Sequence, residues 1–233
     1  MGKNIGVILA GGKGERLNAG IPKQFIRIQG KMIIEYTIEN LENAQNIDKI
    51  YLTINPNYLD IGKELSKKYE KISKIVDGGR TRTESIYNSG LELEEDVGKV
   101  IFIDAVRPFV LPHVFDDFIE LLSKYDVVKF CSKIVDYLVY TGGENLVRKV
   151  MNRNDMRLCK APVGYRAEVL KMVVSNISRD DVIKFETDLE MILEKVPNVK
   201  IFTYESSELN LKITYKDDLE LASILFQYLP RNS

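Results

Sequence analysis

The chain has no tryptophan, one histidine and two cysteines in 233 residues. Cys131 and Cys159 are too few for a disulfide framework or a thiolate zinc site, and they read as two reduced thiols of a cytoplasmic protein. A histidine metal centre, a Ser-His-Asp triad and a Cys-His pair all need a histidine at the chemistry. His113 follows Pro112 at the start of an amphipathic stretch and reads as a solvated first-turn residue. Long apolar runs are missing too: none approaches the roughly 18 residues of a membrane span. The N-terminal apolar run is too short for a signal peptide and leads straight into glycines. No charge of one sign dominates, the formal net charge being −1, which gives no nucleic-acid or membrane surface. Repeats, low-complexity runs and linkers are absent, so residues 1–233 read as a single domain.

What is present is an alternation of strand-like and helix-like segments, which predicts an α/β fold with a mostly parallel sheet. Ile5 to Leu9, Lys49 to Ile54, Ile72 to Val76, Val100 to Ile103 and Val127 to Cys131 read as strands, as do Lys200 to Tyr204 and Leu209 to Ile213. Met32 to Leu41, with Ile34, Ile38 and Leu41 at helical spacing, reads as a helix. A second helix starts at Asn55-Pro56, with Asn55 as N-cap. Thr81 to Glu84 and Thr187 to Glu190 read as capping boxes opening two more. Phe115, Phe118, Ile119 and Leu122 line another, and Tyr215 to Gln227 closes the chain. Residues 133–160 mix β-branched residues with Thr141-Gly142-Gly143 and lack a helical period, so they read as a protruding β-arm.

The richest stretch is Val7-Ile8-Leu9-Ala10-Gly11-Gly12-Lys13-Gly14-Glu15-Arg16-Leu17, followed by Pro22-Lys23-Gln24-Phe25. An apolar strand ends in three glycines within four residues, then two cations. Glycines without Cβ let backbone N–H groups close on an anion. Arg16 and Lys23 supply charge to it. The segment predicts a polyphosphate site at the carboxyl end of the first strand. A P-loop needs Gly-Lys-Ser/Thr, whereas Gly14 precedes Glu15. A dinucleotide fingerprint needs a third glycine where Leu17 stands. Lys212, between Leu211 and Ile213, is costly on a buried sheet without an anion beside it, the alternative being that strand alternation turns it to solvent.

Other motifs follow in order. Gly78-Gly79-Arg80-Thr81-Arg82-Thr83-Glu84-Ser85 has the form G-G-x-x-R-x-x-S. Asp104-Ala105-Val106-Arg107-Pro108-Phe109 has the form D-A-x-R-P-F. Thr187-Asp188 and Asn210-Leu211-Lys212-Ile213-Thr214 complete the set. Together with A-G-G-x-G-x-R-L and P-K, this resembles the cytidylyltransferase family that makes CDP-methylerythritol or CDP-ribitol. The resemblance implies a Rossmann-like, mostly parallel sheet flanked by helices, of the nucleotide-diphospho-sugar transferase type. It implies CTP and a sugar- or polyol-phosphate as substrates, Mg²⁺ as cofactor, pyrophosphate as product and a homodimer through the arm.

Residue by residue, the resemblance assigns Ala10, Gly11, Gly12 and Gly14 to the CTP phosphates. Arg16 and Lys23 stabilise the departing pyrophosphate, and Lys212 faces the α-phosphate. Gly79, Arg82 and Ser85 meet the cytidine. Asp104 lies near the nucleotide and its Mg²⁺. Arg107 meets the acceptor phosphate, Arg153 of the arm reaches it across the dimer, and Asp136 matches an arm position on the acceptor side. Some positions depart from the family pattern. Ile103 replaces a histidine, Tyr137 an arm threonine, and Ala161-Pro162-Val163 a T-P-Q segment. These changes cluster on the acceptor side. The rival readings are a nucleotidyltransferase using another NTP or acceptor, a CTP-binding protein without transferase activity, and a Rossmann oxidoreductase.

Overall fold

The computed structural model describes residues 2–12, 20–205 and 209–228. Its elements are β1 (Lys3–Ala10), β2 (Arg27–Ile28), β3 (Lys31–Met32), α1 (Ile33–Glu42), β4 (Lys49–Ile54), α2 (Leu59–Lys68), β5 (Ile72–Asp77), α3 (Arg82–Leu91) and β6 (Val97–Asp104). There follow α4 (Pro112–Leu121), β7 (Val127–Lys133), β8 (Leu138–Tyr140), β9 (Lys149–Met151), β10 (Arg157–Arg166), α5 (Ala167–Ser175), α6 (Arg179–Val182), α7 (Asp188–Lys195), β11 (Ile201–Glu205) and α8 (Lys216–Tyr228). The main sheet has seven strands in the order β11-β7-β10-β6-β1-β4-β5. Every neighbouring pair is parallel except the two made by β10.

Strand alternation divides the core. On β1, Ile5 and Val7 join a cluster with Ile86 and Tyr87 of α3, Leu170 of α5 and Met191 of α7. Ile8 and Ala10 face the other way, toward Ile34 and Ile38 of α1 and Phe115 and Phe118 of α4. Period-two alternation between two helical layers is what a doubly covered parallel sheet demands. A third cluster ties Ile33, Val106, Phe109 and Ile213 to Ala222 of α8. The chain runs from β1 outward to β4 and β5, then returns to the opposite side of β1 as β6. That reversal makes a crevice beyond the carboxyl ends of β1 and β6, the usual ligand position of such sheets.

The structure corrects several local expectations. Asn55 does cap, accepting from the Asn57 N–H, but over a short 3-10 turn, Pro56–Tyr58, that precedes α2. At α3, the Thr81 side chain accepts from the Glu84 N–H as expected. Glu84 reaches one residue further back than a capping box requires, to the Arg80 N–H. At α7 the same shift occurs, with Glu190 accepting from the Glu186 N–H. The Arg80 guanidinium explains the first case, since it also binds the Glu84 carboxylate. The arm is shorter than residues 133–160. Arg157 pairs with Lys133 and Cys159 with Cys131 as part of the main sheet. What projects is the β8–β9 hairpin with its flanking turns. Leu209 to Ile213 is not a strand. Among the described residues its backbone–backbone bond to the rest of the fold joins Ile213 N–H to Val106 O at 3.0 Å, Arg107 Nη1 donates to Asn210 O, and the Ile213 side chain packs under α8.

Candidate active site

The crevice is a cleft of about 630 Å³, within the range of small-molecule sites. One wall is the end of β1, where Ala10, Gly11 and Gly12 continue past Asp104 of β6. Gly11 lies against Gly78: a Cβ on Gly78 would come 2.9 Å from the Gly11 Cα. Two side chains here would push the wall apart, so the glycines serve close backbone approach. Gly12 faces open space. Gln24 holds this wall in shape. Its buried amide donates to Ala10 O and to Gly12 O, both at 2.9 Å. Lys23, its neighbour, lines the same cleft.

The opposite wall is the turn before α3. A Cβ on Gly79 would overlap Glu84 at 2.6 Å. The Gly79 N–H donates to Ser85 Oγ at 2.9 Å, and that hydroxyl donates to Thr81 O at 2.9 Å. Ser85 therefore shapes the turn from below while bordering the cleft. Arg82 crosses the floor: its Nε donates to Asp104 Oδ1 at 3.2 Å and its Nη1 to Asp188. Asp188 also accepts from the Tyr165 hydroxyl.

Asp104 is the electrostatic centre. Besides Arg82, its Oδ2 accepts from Arg107 Nε at 3.0 Å and forms an ion pair with Lys212 Nζ at 3.1 Å. Burial pushes its carboxyl up, but Arg82, Lys212 and Arg107 outweigh this and hold it well below the usual carboxylate range. Asp188 follows the same logic: burial raises it, and Arg82 and Lys129 bring it below the ordinary value. The anion expected beside Lys212 is therefore a carboxylate of the chain itself. Lys212 keeps 39% of its side chain exposed, whereas Arg107 keeps 8%. Of the two, Lys212 is the one with room to turn to a ligand.

The structure brings Ala10, Gly11, Gly12, Lys23, Gly79, Arg82, Ser85, Asp104 and Lys212 around one cleft. Gly14 and Arg16 lie outside the described residues. Arg107 is buried behind Asp104, with its Nη1 donating to Asn210 Oδ1 at 2.7 Å and to Asn210 O at 3.3 Å. Arg153 and Asp136 are elsewhere, on the arm. Arg153 donates to Val135 O, stacks on Tyr137 and lines a separate hollow of about 240 Å³ with Lys133 and Arg157. Asp136 is exposed. Sequence reasoning missed Gln24, Asn210, Asp188 and Lys129. The first three sit inside motifs already singled out. Lys129 had a signal of its own, a lone cation in Val127-Val128-Lys129-Phe130.

The order of these motifs around one floor carboxylate is matched by a family model. The model described as IspD, 2-C-methyl-D-erythritol 4-phosphate cytidylyltransferase, matches residues 5–228. The chain belongs to this family. It is an enzyme, a cytidylyltransferase whose chemistry is CTP-dependent transfer onto a sugar phosphate. It is 30% identical to a 2-C-methyl-D-erythritol 4-phosphate cytidylyltransferase of Clostridium botulinum over 98% of this chain and 100% of that one. It is also 31% identical to a bifunctional ribulose 5-phosphate reductase/CDP-ribitol pyrophosphorylase of Haemophilus influenzae, over 97% of this chain and 48% of that one. Among solved structures, 2-C-methyl-D-erythritol 4-phosphate cytidylyltransferase of Francisella tularensis superposes with a TM-score of 0.77 at 26% identity, covering 95% of this chain and 99% of that one. The 4-diphosphocytidyl-2C-methyl-D-erythritol synthase of Anaerococcus prevotii shares the fold, with a TM-score of 0.82 at 23% identity and coverage of 97% and 99%. Among the described residues no helix is long and apolar enough to cross a membrane.

Proposed function

We propose that the chain transfers CMP from CTP to a polyol phosphate, ribitol 5-phosphate or 2-C-methyl-D-erythritol 4-phosphate, and releases pyrophosphate. The observation that carries this reading is the Lys212–Asp104 pair at the junction of two glycine walls. An acceptor phosphate oxygen attacks the α-phosphorus in line with the leaving pyrophosphate. A phosphate monoester is mostly dianionic at neutral pH, its second pKa being near ~6, so no strong general base is needed. The cleft supplies alignment and positive charge where negative charge accumulates. Lys212 turns from Asp104 toward the α-phosphate, and Lys23 and Arg16 take the pyrophosphate side. Gly79, Arg82 and Ser85 border the nucleoside. Arg107 acts on the acceptor through Asp104, which it holds.

Mg²⁺ fits this donor set in one way only. No group of three His, Cys, Asp or Glu able to hold a metal occurs among the described residues. Asp104 is a single carboxylate already bonded to three cations. Mg²⁺ commonly takes one or two carboxylates and completes its shell with phosphate oxygens and water. Asp104 would hold it on those terms, and the ion would neutralise charge on the phosphate oxygens. The surrounding cations favour a metal that arrives on the triphosphate over one bound beforehand. The arm supports a homodimer, because Val135, Tyr137, Val139, Tyr140 and Val150 leave apolar surface exposed on it. Arg153 and Asp136 belong to the acceptor side of that assembly. The two free thiols support a cytoplasmic location.

The test is pyrophosphate release with CTP, Mg²⁺ and each acceptor, repeated with UTP, GTP and dTTP. Turnover is expected with CTP and one of the two acceptors. Lys212→Met is expected to lower kcat by about 10²–10³, the usual effect of removing one transition-state charge donor. CTP binding without turnover on any acceptor would leave a nucleotide-binding protein instead.

A further inference from the structure

Lys129 has no role in the account above, yet it is a buried cation on the sheet face that carries the site. Alternation along β7 puts it on the same side as Val127, which packs in the cluster formed with α3, α5 and α7. It lies opposite Val163 of β10 and Thr203 of β11. Those strands are on the far side of β6 from the glycine wall of β1. Lys129 is 7% exposed. Asp188, Arg82, Cys159 and Asp104 are within electrostatic reach of its ammonium. Among the described residues no carboxylate is close enough to pair with it.

Arg82 has a loose end in the same place. Its Nε and Nη1 are taken by Asp104 and Asp188, and its Nη2 is fully buried with no partner. Among the described residues the Lys129 ammonium has no hydrogen-bond or ion-pair partner either, and the residue keeps 7% of its surface exposed. Around this point, among the described residues, Arg82, Arg107, Lys129 and Lys212 face two carboxylates, Asp104 and Asp188. The cluster therefore carries two positive charges in excess. A buried, uncompensated cation destabilises a fold by itself. Beside a cleft, it marks a place that a ligand anion completes.

We propose that Lys129 is an acceptor-specificity residue: its ammonium, with Arg82 Nη2, takes an oxygen of the phosphorylated polyol on the β10 side of Asp104. The inference rests on the transferase reading, in that the ligand is that reaction's acceptor. It explains how the second substrate is drawn to the side of the floor opposite the glycine wall. There the free charge is positive and the described acceptor-side arginine, Arg107, is already engaged.

The test is titration calorimetry on the full chain. The site is first saturated with Mg²⁺ and a CTP analogue carrying an α,β-methylene bridge. Ribitol 5-phosphate and methylerythritol 4-phosphate are then titrated separately. Lys129→Met and Lys129→Gln are expected to weaken the acceptor that wild type binds by about tenfold or more, as for loss of one charge-assisted hydrogen bond. Analogue affinity should stay within roughly twofold, within the scatter of a substitution that touches no contact. Unchanged acceptor affinity in both variants overturns the proposal, and so does wild type binding neither acceptor. Loss of analogue and acceptor together assigns Lys129 to the fold and also overturns it. Wild type that binds both ligands but releases no pyrophosphate refutes the transferase reading while leaving the Lys129 contact standing.

Discussion

Replacing Arg107 by methionine separates a brace from a ligand contact. Arg107 is buried, and its Nε holds Asp104 Oδ2 at 3.0 Å while Nη1 holds Asn210 Oδ1 at 2.7 Å. Asn210 in turn donates to Ala161 O at 2.7 Å, so the guanidinium ties β6, the segment before α8 and β10 together. Methionine fills much of the volume but leaves the buried Asn210 oxygens without their donor, at about 1–3 kcal/mol for each unsatisfied group. Asp104 keeps Arg82 and Lys212, which tempers the loss there. The total is about 3–5 kcal/mol, the range for breaking a buried pair. At about 2–4 °C per kcal/mol for a chain of this size, Tm should fall by roughly 6–20 °C. Differential scanning fluorimetry and chemical denaturation read this directly, with CTP-analogue affinity as a second measurement. Arg107→Lys should recover part of the loss, since it keeps the charge near Asp104 but not the fork to Asn210. A Tm within about 2 °C of wild type, with only acceptor KM raised, would refute the brace and restore Arg107 as a direct acceptor contact.

Two other outcomes follow from the geometry. Gln24→Ala removes its two bonds to the glycine wall, a loss of about 1–3 kcal/mol, and kcat/KM for CTP should fall by about 5–150-fold; an unchanged value would mean that the wall keeps its shape without the clamp. Asp104, Asp188, Glu35 and Glu84 all have carboxyls held below their ordinary values by cations and hydrogen bonds that outweigh burial. Their contribution to stability is present above the unfolded values near ~4 and is lost as pH falls through the depressed folded ones. Urea unfolding should thus give a plateau from about pH 5 to 7 and a decline beginning near pH 4. A flat profile down to pH 3 would contradict this.

Much of the molecule was legible from local rules. Ile5 to Leu9 and Lys49 to Ile54 announce buried strands by composition and length, and both are present. Ile34, Ile38 and Leu41 announce a helix by spacing, and α1 buries all three. What escaped depended on partners far away in the chain. Leu209 to Ile213 has the composition of a strand, yet it finds no edge to pair with and is anchored by its side chains. The arm boundary slipped because Arg157 to Cys159 pair back along β7, a register that only the folded sheet can assign.

The amino-acid order by itself determined the alternation of strands and helices, the glycine turns and the set of charged residues near them, because periodicity, backbone freedom and caps act over a few residues. The tertiary structure decided how those charges are shared. Asp104 meets Lys212 across 108 positions of chain only because the segment carrying Lys212 passes beside the end of β6. That same arrangement sends Arg107 inward, leaves Arg82 Nη2 without a hydrogen-bond partner, and places Lys129 within electrostatic reach of Asp188 without an ion pair among the described residues. Strand order and packing set which opposite charges come within reach of each other, and no local pattern carries that distance.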